Sequence, residues 1–530
     1  MAKTSVAKKQ KSIEETLWDS ANKLRGTVES SEYKHVVLGL IFLKFSSDKF
    51  EEKKQELIAQ GHEKYIDMAP FYNKDNVFYL PEQARWSYVM ANAKQDDIAL
   101  KIDTALHTVE KNNPSLKGAL PDNYFSRLNL DISKLAALLD TINNIDTIAD
   151  KENDVVGRVY EYFLGKFAAT EGKGGGEFYT PKCVVKLLAE MLEPYKGKIY
   201  DPACGSGGMF VQSIKFVENH NGNTKDISIY GQEYTATTYK LAKMNLAIRG
   251  INGNLGEVPA DTFFKDQHPD LKADYIMANP PFNQKDWRAS NELTDDPRWQ
   301  GYEVPPTGNA NYAWILNMVS KLSANGTAGF VLANGAMSSN TSGEGALRKK
   351  MIENDLVDCM IALPGQLFYT TQIPVCLWFM TKNKTSTGSA QGNGNDFRDR
   401  QGETLFIDAR NMGTMVDRTH KELTTDDIAE ITKTYHTWRN KPVMSSDAES
   451  NEVLYQDILG FCKSATLQDI IKNDYVLTPG RYVGVAEEIG DGIPFETKMG
   501  SLTRLLFKQM EQSQTLDQAI KDNLKMLGYE

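Results

Sequence analysis

The feature that most constrains the fold is an alternation. Between residues 181 and 381, short apolar runs closed by turn signals take turns with stretches of helical periodicity. The runs are KIYDPA, ISIYGQE, ADYIMAN, AGFVLAN, LVDCMIALP and VCLWFMT. The helical stretches include PKCVVKLLAEML, YKLAKMNLAIRG, NYAWILNMVSKL and EGALRKKMIEN. Apolar runs too short for helices read as strands buried on both faces, and helices between them serve as crossovers. This pattern predicts an α/β fold, a doubly wound and largely parallel sheet.

The flanks have a different texture. The first residues, MAKTSVAKKQK, are basic and lack periodicity, as expected of a mobile arm. Ser12 opens SIEE, with Glu15 three residues on as a capping box. The stretches ETLWDSANKL, HVVLGLIFLKFSSDKFEEKKQEL, DIALKIDTALHTVE and DVVGRVYEYFLGKFA then predict an all-helical domain over residues 1–167. The α/β domain is expected over 168–485, beginning in the glycine-rich EGKGGGEFYTP. Within it, TKNKTSTGSAQGNGNDFRDRQGE reads as a polar surface loop before a strand, TLFIDAR. A C-terminal helical tail is expected over 486–530. Leu502, Leu506, Met510, Leu516, Ile520, Leu524 and Leu527 form one apolar stripe there, suited to its own domain or to a partner helix.

Composition excludes several classes. The 530 residues are 41% hydrophobic and 25% charged, which is ordinary for a globular protein. Val36 to Leu43 is far shorter than the roughly 20 residues a membrane span needs, and no signal-peptide pattern precedes it, so no membrane association and a cytoplasmic location are expected. Cys183, Cys204, Cys359, Cys376 and Cys462 form no CxxC pair and the histidines no HExxH, so neither a disulfide framework nor a metal site is expected. With 60 basic against 70 acidic residues, the formal net charge is −10. A chain so acidic that works on DNA must concentrate its positive charge or borrow a basic partner.

The sequence KIYDPACGSGGMF is a strand, a tight glycine turn and the start of a helix, the place where a parallel sheet receives a ligand. It lacks the lysine of a phosphate-binding GxxxxGK[ST] loop, and Phe210 stands where a dinucleotide fingerprint needs its third glycine. What remains is Gly205, Gly207 and Gly208 after Asp201, with Glu233 at the end of the next strand. Glu233 is placed to accept from both hydroxyls of a ribose, and Asp201 to face an ammonium. These demands fit S-adenosylmethionine. Cys204 reads as a small packed residue.

The strand ADYIMAN ends in Asn279, Pro280, Pro281 and Phe282. An exocyclic amine on adenine is a poor nucleophile, because its lone pair is delocalised into the ring. A site that methylates it needs acceptors for the amine hydrogens and no strong base. Asn279 offers a side-chain carbonyl and Pro280 a backbone carbonyl, while two prolines stiffen the turn. Phe282 offers a face for a base drawn out of the duplex. Cytosine C5 methylation requires a cysteine nucleophile, usually in a Pro-Cys pair, which this chain lacks.

In order, GEFYTP, DPACGSGG, GQEY, ANPPF and GFVLANG resemble the modification (methyltransferase, HsdM-type) subunit of type I restriction-modification systems, and the resemblance covers nearly the whole chain. It implies a site-specific N6-adenine DNA methyltransferase acting on double-stranded DNA. It also implies two modification subunits with one specificity subunit, and a restriction subunit in the full complex. By this resemblance Glu177, Phe178, Tyr179, Thr180, Pro181 and Lys182 close over the methionine end of the cofactor. Asp201, Ser206, Gly207 and Gly208 form its loop, Glu233 holds the ribose, Asp261 lies beside the cofactor adenine, and Asn279 to Phe282 are catalytic. The motif alone leaves open a protein amide or an RNA base as substrate, and a noncatalytic scaffold that holds the cofactor.

Overall fold

The structure, a computed structural model, describes residues 13–22, 30–128, 130–145, 159, 162–163, 180–368, 373–385, 397–441, 454–485 and 495–528. The described residues up to Val483 form one compact unit and those from Gly484 on a second. Glu177, Phe178, Tyr179, the capping box at Ser12, the expected domain boundary at 167–168 and most of the helix expected over 154–168 lie outside the described residues.

The strands, in chain order, are β1 Gly197–Asp201, β2 Ile227–Gly231, β3 Gly253–Asn254, β4 Ala273–Ala278, β5 Leu322–Ala333, β6 Val357–Ala362, β7 Val375–Thr381, β8 Glu403–Asp408, the hairpin strands β9 Thr414–Met415 and β10 Lys421–Glu422, and β11 Cys462–Thr466. Nine of them form one sheet in the order β11-β8-β6-β7-β5-β4-β1-β2-β3. The pairs β1–β2, β2–β3, β1–β4, β4–β5 and β6–β8 are parallel. β7 runs antiparallel between β5 and β6, and β11 runs antiparallel on β8 at the edge. Because β6 is reversed twice relative to β5, the carboxyl ends of β1, β4, β5, β6 and β8 share one side of the sheet. Strand order reverses between β1 and β4, which opens a crevice beyond Asp201 and Asn279.

Both faces of the sheet are covered. β6 and β7 are buried at every residue, as their continuous apolar runs require. One face packs on the helices Lys182–Leu192, Gly208–Asn219 and Thr425–Arg439, the other on Asn311–Lys321 and Glu344–Glu353. The second half of the expected polar surface loop differs from expectation. Arg400 is only 2% exposed and pairs with Asp358, while Arg398 bridges to Glu403. A buried guanidinium is tolerable because a carboxylate meets it.

The helical part is built around Ser30–Ala59, one 30-residue helix longer than the stretch read from sequence, with Ile98–Asn112 and Ile132–Asn143 against it. Buried Asp103 accepts the backbone N–H groups of Tyr124, Phe125 and Ser126, satisfying the first turn of a short helix. Leu241, Met244 and Ile248, from the helix Ala236–Ile248 that follows β2, enter this same core. The helix that leaves the crevice is therefore shared with the helical part. In the second unit, Phe495–Met526 is a 32-residue helix, with Leu502, Leu506, Met510, Leu516, Ile520 and Leu524 exposed on one face.

Candidate active site

The turn after β1 needs glycine where it bends. Gly205 and Gly207 take φ of +53° and +80°, conformations that cost an L side chain, and Gly207 then opens the helix Gly208–Asn219. The Cys204 N–H donates to the Gln232 carbonyl and the Gln232 N–H to that of Asp201, tying the turn to the end of β2. Gly205 N–H donates to Glu233 Oε2 at 3.1 Å and Thr235 N–H to Oε1 at 2.8 Å. From the shared helix, Asn245 Nδ2 donates to the Ser206 carbonyl at 2.7 Å and holds the loop from behind.

A cavity of about 480 Å³ lies in the crevice. The structure brings Thr180, Lys182, Asp201, Gly205, Ser206, Gly208, Glu233, Asp261, Asn279 and Pro281 to its wall. Pro181, Gly207, Pro280 and Phe282 adjoin these residues in the chain without lining the cavity. Asp261 accepts from the Phe263 N–H at 2.7 Å, closing its own turn at the rim. The sequence reading missed Asn245, Tyr234, Phe263, Trp287 and Trp314, which also line the wall. The Phe263 ring lies 4.6 Å from Trp287 and 4.3 Å from Trp314, centroid to centroid, tilted by 51° and 48°. Asn245 carried a signal, a polar residue inside the apolar KMNLAI. Trp287 carried none, because a long loop brings it back over the cavity, and Trp314 reads as one more apolar position of the helix Asn311–Lys321.

Electrostatics at the wall are unusual. Burial, with the Glu233 charge nearby, pushes the Asp201 carboxyl up to about 8 against one backbone hydrogen bond, and burial likewise raises Glu233. Neither carboxylate has an ion pair among the described residues. Burial also lifts the Cys204 thiol well above its ordinary value, which keeps it neutral and agrees with a packing role.

At the end of β4, Asn279 Nδ2 donates to Thr180 Oγ1 at 3.0 Å, while Asn279 Oδ1 is buried without a partner among the described residues. Asn283 adopts φ +51° directly after the motif, and its backbone N–H and side-chain Oδ1 both pair with the buried Asn311 side chain, at 3.0 and 2.9 Å. The turn is thereby fixed at both ends. The Phe282 ring meets Phe368 edge-on at 5.9 Å. Two raised carboxylates and an amide oxygen lacking a donor make an acceptor-rich wall. It suits a ligand that carries an ammonium and a ribose diol, and the volume is of small-cofactor size. The residues present fit S-adenosylmethionine.

The N-6 DNA methylase family model matches residues 151–491, and the HsdM N-terminal domain model matches residues 13–144. The type I restriction enzyme HindI methylase subunit of Haemophilus influenzae is 47% identical over 470 residues, covering 85% of this chain and 100% of that protein. The chain belongs to the methylase subunits of type I restriction-modification systems. The MjaIX methylase subunit of Methanocaldococcus jannaschii is 39% identical over 537 residues, covering 98% of this chain and 92% of that protein. The methyltransferase subunit of a type I system from Streptococcus thermophilus shares the fold, with a TM-score of 0.71 at 24% identity over 89% of this chain and 99% of that one.

Membership decides what the motif left open. This methylase subunit is an adenine-specific DNA methyltransferase, of a family that is S-adenosylmethionine-dependent. No helix among the described residues is long and apolar enough to cross a membrane.

Proposed function

We propose that the methylase subunit methylates the N6 amine of an adenine turned out of duplex DNA, with Asn279 Oδ1 and the Pro280 carbonyl accepting the two amine hydrogens. The observation that carries this reading is the buried, unpartnered Oδ1 of Asn279, held by the bond from Nδ2 to Thr180. Two fixed acceptors draw the amine out of conjugation and direct its lone pair into the cavity. They do not reorganise during transfer, which is where such electrostatic catalysis gains its strength. Phe282 stacks on the extruded base.

When bound, S-adenosylmethionine supplies a methyl group made electrophilic by its sulfonium. Asp201 faces the ammonium and Glu233 the ribose hydroxyls. Gly205, Ser206, Gly207 and Gly208 let the backbone come close, and Asp261 stands beside the cofactor adenine. By the family resemblance the segment Glu177, Phe178, Tyr179, Thr180, Pro181 and Lys182 would serve the methionine end, and Thr180 and Lys182 line the cavity.

Two copies of the chain assemble with one specificity subunit, which reads the sequence, and a restriction subunit joins the full complex in the cytoplasm. The net charge of −10 supports this division, since an acidic chain lacks the phosphate attraction that drives binding. The test is to map N6-methyladenine in plasmid DNA from cells expressing the chain alone or with its specificity subunit. Methylation at one sequence, only in the pair, is expected. Methylation by the chain alone overturns the division of labour.

A further inference from the structure

The hairpin β9–β10 stands on the side of the sheet where the carboxyl ends of β4 and β8 lie, and the site described above does not use it. The short hairpin is tied to both flanks of Asn279. On one side, the Lys421 N–H donates to the Gln366 carbonyl at 2.9 Å, two residues before Phe368, the ring that meets Phe282. On the other, Leu423 sits with its backbone against the thiol of Cys183, on the helix that begins just after Thr180. Leu423 and Phe368 belong to one buried cluster, against which Phe282 packs.

The tip is stiff and chemically mixed. The Val416 N–H donates to the His420 carbonyl at 2.9 Å, and Asp417 accepts from the N–H groups of Thr419 and His420 at 2.7 and 2.8 Å. Asp417 also meets the His420 ring at 2.8 Å. The tip's acid is therefore spent on its own turn. Arg418 is exposed and has no ion pair among the described residues. Beside it Met415, which ends β9 opposite Lys421, and Val416, which enters the turn, are 48% and 55% exposed. The turn thus holds two adjacent apolar side chains in water. Two apolar side chains beside an unpaired guanidinium match a duplex: phosphate outside, stacked bases within.

We propose that the tip of this hairpin enters the duplex beside the target adenine, Met415 and Val416 occupying the space the flipped base leaves and Arg418 meeting a phosphate. This rests on the adenine-methylation reading above. Apolar wedges between base steps offset the cost of unstacking and so favour the extruded base.

The test uses the chain with its specificity subunit and a duplex carrying the sequence that this complex methylates. A second duplex places the target adenine opposite an abasic position, so extrusion is already easy. Met415→Ala/Val416→Ala is expected to slow methylation of the paired duplex by about tenfold. On the abasic duplex the same variant should approach wild type, with cofactor binding unchanged on both. Arg418→Gln is expected to lower the salt slope of DNA binding by about one. Equal rates for variant and wild type on the paired duplex, or equal losses on both duplexes, overturn the wedge. Loss of assembly with the specificity subunit also overturns it, and assigns the tip to a protein contact. A wild-type complex inactive on both duplexes removes the adenine-methylation reading itself, and the wedge with it.

Discussion

Asn279 and Thr180 are joined by a 3.0 Å hydrogen bond from the Asn279 amide nitrogen to the Thr180 hydroxyl oxygen, across 99 positions of sequence. The bond fixes which end of the amide is offered to substrate. With Nδ2 engaged, Oδ1 is the end left without a partner. Thr180 is therefore both part of the cavity wall and the group that orients the Asn279 amide.

Thr180→Val keeps the shape of the side chain and removes the acceptor. It is expected to lower kcat by about tenfold, the scale of one misdirected hydrogen bond, with little change in the KM for DNA. Thr180→Ser should restore the rate. Steady-state kinetics that showed a change in KM alone would contradict the orienting role.

Asp201 gives a pH prediction. Its carboxyl, raised to about 8 by burial, keeps its proton in the folded chain at pH values where the unfolded chain has lost it. The folded state thus binds more protons between about pH 4 and about pH 8, and this group's contribution to stability is lost as pH rises through that window. A bound ammonium favours the ionised carboxylate, so cofactor binding expels a proton near neutrality and tightens as pH approaches about 8. Calorimetry at pH 7 in buffers of different ionisation enthalpy should detect proton release by the wild type and none by Asp201→Asn. Equal proton release by both assigns the proton elsewhere.

The parts legible in sequence were those with strong local signals. β1, β2 and β4 to β8 each carry an apolar run, and DPACGSGG and ANPPF sit at strand ends where a sheet receives ligands. The reversal of β7 left no trace in its residues, because a strand buried on both faces reads alike in either direction. The half-polar CKSAT of β11 is too weakly apolar to announce an edge strand. Arg400 lay in a segment whose composition resembles a loop, and its burial depends on Asp358, 42 positions away. The Thr180–Asn279 bond is equally nonlocal. Motifs located the site, but the contacts that orient it come from packing.

Phe282 offers a stacking face beside Phe368. Phe282→Ala is expected to weaken productive DNA binding by about 1–3 kcal/mol, the range measured for one base on one ring, and Phe282→Trp to retain most of the activity. Cofactor affinity should not change in either variant. A 2-aminopurine placed at the target position should brighten less with Phe282→Ala; an identical signal would argue against stacking there.

The exposed face of Phe495–Met526 should hold the specificity subunit, since Leu502, Leu506, Met510, Ile520 and Leu524 recur on one side of the helix. Deletion of residues 501–530 is expected to leave cofactor binding intact and to abolish co-elution with the specificity subunit. Light scattering of the mixture reads this directly, and an unchanged complex mass would contradict it.

The most direct measurement is single-turnover methyl transfer by the assembled complex, wild type against Asn279→Ala, with N6-methyladenine quantified by mass spectrometry. Removing an acceptor fixed in place for the transition state should slow transfer by roughly 100- to 1000-fold, while cofactor and DNA affinities stay within about threefold of wild type. Transfer at the wild-type rate by Asn279→Ala, with both ligands bound, would contradict the account.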